Sequence, residues 1–137
     1  MSDELTDVMA ISASALRAQD QRLKVIAENI ANADTTASAP GQKPYQRHTI
    51  TFKNEFDKAI GAYQVKATSV SVDPSAFGKK YDPSNPAADA KGYVLTPNVN
   101  TMLETMDMGE ANRSYQANLD VIAASRTMMA KTIGLLQ

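Results

Sequence analysis

The stretch MAISASALRAQDQRLKVIAENIAN, residues 9–32, decides the fold. It contains neither Pro nor Gly and consists mostly of helix formers, and Met9, Leu16, Leu23 and Ile30 recur every seven positions. That spacing predicts one long helix starting at Leu5 and carrying an apolar seam. Leu5 and Ile26 flank the seam, whereas Ser12 and Gln19 occupy the equivalent neighbouring positions, so the stripe is narrower than a full coiled-coil repeat. Asp20, Lys24 and Glu28 stand at i, i+4 spacing, which suits a solvated flank.

Outward from this helix, residues 33–44 gather Asp34, Thr35, Thr36, Ser38, Pro40, Gly41 and Pro44, a cluster that stops a helix and specifies an irregular loop. Alternation from Tyr45 to Phe52 predicts a strand, and a second alternating stretch runs from Tyr63 to Val72, so a small sheet or hairpin is expected. Residues 54–62 between them suit either a short helical turn or the end of a long hairpin. Pro74, Pro83, Pro86 and Pro97, with Gly78 and Gly92, predict a surface loop with one short strand near Tyr93 to Leu95. Asn29 and Asn32, at i, i+3 spacing near the helix end, can satisfy free carbonyls or bond a neighbouring helix; a C-terminal cap is the simpler reading.

The helical signal returns from Asn98 to Gln137, where Met108, Tyr115, Ile122, Met129 and Leu136 repeat at seven-residue intervals. Leu119 and Ile133 widen this second seam, Asn112 and Arg126 interrupt it, and Gly109 marks a position for a bend. At ~1.5 Å per residue the two helices would be roughly 42 and 60 Å long. The expected architecture is mainly α: residues 1–34 and 98–137 form long terminal helices, and residues 35–97 form a loop and a small β-containing middle segment. Heptad stripes favour left-handed supercoiling, so the seams are expected to pack between subunits as a coiled-coil-like core. Met9, Met108 and Met129 fall in the seams as packing residues.

Composition excludes several classes of function. The formal net charge is −1 and no run of five like charges is present, so nucleic acid is not an expected partner. No apolar run approaches the roughly 20 residues of a membrane span, so no direct membrane insertion is expected, and the N-terminus lacks the pattern of a cleaved secretory signal. There is no Cys and one His, His48, which is read as structural rather than as a catalytic base. Asp82, Asn85 and Asp89 lack the spacing of a calcium loop. The expectation is a chain that is not an enzyme, with no cofactor and no metal.

The block from Val25 through Asn29 and Asn32 to Thr36 resembles the N-terminal signature of the flagellar rod and hook family of axial proteins. Further blocks resemble proximal-rod members of that family: residues 40–47, with Pro44 and Tyr45; Gly92 to Val94, with Pro97 and Asn98; and residues 106–118, with Tyr115, Gln116 and Asn118. Gln42 and residues 37–39 depart from the family's usual loop. The resemblance implies export through the flagellar type III apparatus without a cleaved signal, then polymerisation in the periplasm into a hollow, torque-transmitting rod. It implies as partners copies of the chain, other proximal rod proteins and the adaptor between rod and membrane ring. A soluble coiled-coil adaptor or secretion chaperone would explain the seams but not the ordered set of motifs.

Overall fold

The computed structural model describes residues 2–135, with side chains from Glu4 onward. Helix α1 spans Ser2–Ala31 and helix α2 spans Thr101–Gly134. Between them lie β1 (His48–Asp57), β2 (Ala62–Val72), β3 (Gly78–Tyr81) and β4 (Tyr93–Thr96). β1 and β2 form one two-stranded sheet, and β3 and β4 form another. Both long helices and the β content of the middle are therefore as the periodicity predicts. Leu136 lies outside the described residues.

The chain divides into two compact units: residues 1–23, 51–69 and 109–137 make one, and residues 24–50 and 70–108 make the other. Each helix contributes residues to both units, and Gly109 lies within α2.

In the first unit, residues 54–62 prove to be the end of a long hairpin, with a turn at residues 58–61. The edge-on ring pair Phe56–Tyr63, with centroids 5.2 Å apart, lies near that end. Ser14 of α1 accepts a hydrogen bond from the Val65 amide of β2 at 3.2 Å, which ties the hairpin to the helix. The most buried side chains are small: Ser12, Ser14, Ala18, Ala111 and Ser125. Small side chains let backbones approach closely, since the distance between packed elements is set by the residues at the contact.

In the second unit, Val25, Ile26, Ala87 and Val94 form the buried apolar set, joined by the buried Pro44 and Pro97. Burying each of the larger three side chains is worth roughly 1.5–3 kcal/mol. β3 pairs with β4 antiparallel, Gly78 opposite Thr96 and Tyr81 opposite Tyr93. β3 is exposed along its whole length, Gly78-Lys-Lys-Tyr81, and carries no alternation of burial. It falls inside the stretch expected to be loop, while β4 matches the short strand expected there. Three successive turns, closed by amides of Asn85, Ala88 and Gly92, join β3 and β4, with Asp89 Oδ1 accepting from the amides of Lys91 and Tyr93.

Candidate functional site

Asn29 sits near the end of α1 and is only 1% exposed. Its Oδ1 accepts from the His48 amide at 2.8 Å and from the Tyr45 hydroxyl at 2.9 Å. Its Nδ2 donates to the His48 carbonyl at 2.8 Å and to Glu104 Oε2 at 3.1 Å. All four hydrogen bonds available to a carboxamide are thus made. Asn29 is therefore not a helix cap: it pairs with the first residue of β1 as a strand neighbour would, and it also reaches α2. Asn32 takes the capping role instead, its Nδ2 donating to the Glu28 carbonyl at 2.9 Å.

Glu104 is equally buried, and Arg47 supplies its charge partner, Nε donating to Oε1 at 2.6 Å. Its place in the first turn of α2 lets the helix dipole favour its charge, and Asn100 caps that turn by accepting from the Met102 and Leu103 amides. Arg47 also bonds Asp73 through Nη1 at 3.3 Å and lies 3.9 Å from Asp107. The Arg47 backbone is fixed too: its amide donates to Asn98 Oδ1, and its carbonyl accepts from the Asp73 amide, both at 2.8 Å. Asn98 closes the circuit, donating through Nδ2 to the Asp73 carbonyl at 3.1 Å and to Ser75 Oγ at 2.8 Å. Five chain segments meet in this polar knot, all of them inside the second unit.

The electrostatics fit a structural role. Burial is the largest influence on Arg47 and opposes its charge, yet the bonds to Glu104 and Asp73 together outweigh it and raise its pKa. Burial, then the charges of Glu28 and Glu104, push the Tyr45 hydroxyl above its usual value. Bonds from the Ser75 amide and hydroxyl, assisted by Arg47, hold Asp73 below the usual carboxylate range. Both Glu104 oxygens are engaged, Oε1 by Arg47 and Oε2 by Asn29. His48 packs its ring edge-on against Tyr45, with centroids 5.3 Å apart, and its Nδ1 lies 3.3 Å from the Tyr45 hydroxyl.

The seam residues meet varied environments within the chain. Ile26 is buried; Met9, Leu16, Leu23, Ile30, Met108, Tyr115, Ile122 and Met129 are half-buried; Leu119 and Ile133 are exposed. Beside each seam runs a row of better-buried residues that a pattern of large apolar side chains does not mark. On α1 it contains Ala18 and Val25, and on α2 it contains Glu104, Ala111 and Ser125. Ala18 and Val25 are seven residues apart, as are Glu104 and Ala111, with Ser125 two repeats further on, and all but Val25 are small or polar. Met102, Leu103 and Met106 were also missed. At about 100° per residue, Met106 stands on the side of α2 opposite Glu104, and all three are exposed. Of the remaining motif residues, Gln116 bonds Asp120 and Asn118 bonds the Ser114 carbonyl, each within α2.

Comparison with known proteins places this architecture. Residues 9–37 match the family model described as flagella basal body rod protein, and residues 90–135 match that described as flagellar basal body rod FlgEFG protein C-terminal. A flagellar basal-body rod protein FlgC from Agrobacterium fabrum (strain C58) is 48% identical over 135 residues, covering 98% of this chain and 97% of the relative. The chain belongs to the FlgC family. FlgC proteins from Escherichia coli O6:H1 and Salmonella typhimurium LT2 are 41% and 40% identical, each over 97% of this chain and 98% of the relative. The two family models that match this FlgC-family chain cover most of α1 and all of α2 up to its last residue described, so the likeness lies on both terminal helices.

Proposed function

We propose that this chain is a non-enzymatic structural subunit of the flagellar basal-body rod. Its terminal helices pack against neighbours as an intersubunit coiled-coil-like core and build the hollow proximal rod that transmits torque. The observation that carries this reading is the likeness, over nearly the full length of both chains, to proteins named as basal-body rod proteins. The burial pattern supports it: most seam positions keep part of their surface uncovered within the chain, and Leu119 and Ile133 are open to a neighbour. The proposed contact positions are those of the two seams with the residues that flank or widen them, among them Met9, Leu16 and Leu23 on α1 and Leu119, Ile122 and Ile133 on α2. The partners are copies of the chain, other proximal rod proteins and the adaptor to the membrane ring. Delivery is through the flagellar type III apparatus to the periplasm without a cleaved signal.

Mass spectrometry of detergent-extracted basal bodies tests the proposal. The chain should be a stoichiometric component of them, and cells lacking its gene should be non-motile and build no complete rod. Complete rods in the deletion strain would refute it.

A further inference from the structure

Met102, Met106 and Met108 stand close together on one helix and meet different surroundings. Met102 and Met106 are 74% and 65% exposed, whereas Met108 is half-buried. Residues four apart are neighbours on a helix surface, so the two exposed thioethers lie side by side, with the exposed Leu103 next to them. At about 100° per residue, both stand roughly 160° round α2 from Glu104, while Met108 stands only about 40° from it. This part of α2 is held in place. Asn100 accepts from the amides of Met102 and Leu103, the Glu104 amide donates to the Asn100 carbonyl at 3.0 Å, and the Glu104 carboxylate is bonded by Arg47 and Asn29. Residues 101–108 also belong to one compact unit. The difference in exposure therefore follows from the face that each side chain occupies.

We propose that Met102 and Met106 form a face-selective oxidation site, at which hydrogen peroxide converts both thioethers to methionine sulfoxide ahead of Met108. The sulfur lone pair attacks one peroxide oxygen, and the S–O bond forms as the O–O bond breaks. The second oxygen leaves as water, taking the proton of the first. Sulfur is oxidised by two electrons and the peroxide is reduced by the same two. A sulfoxide is polar, so the patch of Met102, Leu103 and Met106 changes from apolar to hydrated, while Glu104 on the other side of the helix keeps its bonds. Reduction of the sulfoxides to thioethers reverses the change. The inference concerns the free chain and does not depend on the rod reading.

Treatment of the full-length chain with hydrogen peroxide, followed by tandem mass spectrometry of its peptides, tests this directly. Met102 and Met106 should each gain oxygen at least threefold faster than Met108, and the three rates should converge when the chain is unfolded in urea beforehand. Equal rates in the folded chain, or Met108 reacting first, would overturn the proposal. A threefold preference that persists in urea would overturn it too, because the selectivity would then come from local sequence and not from the fold. Replacing both residues, Met102→Leu with Met106→Leu, keeps the patch apolar but removes the two sulfurs. After peroxide the parent chain should elute earlier from a hydrophobic-interaction column, and the double variant should show less than half of that shift. An equal shift in both would overturn the claim that these two sulfurs control the polarity of the patch.

Discussion

Asn29 uses its whole carboxamide to join three parts of the chain, so its removal leaves the buried Glu104 oxygen and the His48 backbone amide and carbonyl short of partners. Asn29→Ala should destabilise the purified chain by about 3 kcal/mol, the sum expected for more than one buried polar group left unpaired. Urea denaturation measures this, and a loss below about 0.5 kcal/mol would show that water or a rearranged side chain takes over the bonds. The spacing of Asn29 and Asn32 revealed a helix end but not this role, because the partners of Asn29 are 19 and 75 residues away and no local pattern encodes them. Asp73 provides a second test at this scale. Its folded-state pKa is lowered, chiefly by the Ser75 bonds, so its contribution to stability is present above the ordinary carboxylate value and is lost as the pH falls through the folded value. Asp73→Asn should therefore flatten the acid limb of the stability profile, and identical acid limbs for the two proteins would contradict this.

The elements were legible in proportion to how far burial is periodic. α1 and α2 could be read because long segments without Pro repeat their apolar residues every seven positions, and the observed bounds fall within a few residues of those expected. β3 could not, because Gly78-Lys-Lys-Tyr81 is exposed on both faces and its pairing depends on β4 rather than on its own pattern. The rows of Ala, Ser and Glu beside the seams escaped for a related reason, since close packing selects small residues that hydropathy does not mark. The β3–β4 hairpin also depends on Gly92, whose φ is +81° and where an added Cβ would lie 2.8 Å from the Tyr81 ring and 3.2 Å from Pro83. The Tyr81–Tyr93 ring pair, with centroids 5.3 Å apart, leaves no room for it to shift freely. Gly92→Ala should cost about 1–3 kcal/mol, seen as a lower thermal midpoint by circular dichroism. An unchanged midpoint would mean that the turn relaxes without disturbing the pair.

For the whole molecule, the account holds that the terminal helices are incomplete in isolation and become complete against neighbouring subunits. The family was recognisable because its motifs span the chain in order, from Asn29 to Asn118. The proposed contacts between copies are not specified in the same way, because a seam states that something apolar covers it without naming what. Ile133 separates the two kinds of burial best: it is a proposed contact position and is 54% exposed in the single chain. A carboxylate there stays hydrated in the free subunit, but it must be desolvated when helices pack, at a cost of several kcal/mol. The decisive measurement is the composition of basal bodies purified from cells expressing Ile133→Asp, alongside the circular dichroism spectrum of the purified variant. The account predicts a soluble subunit with an unchanged spectrum that is absent from the basal bodies of non-motile cells. Rods of normal length containing the variant would contradict it.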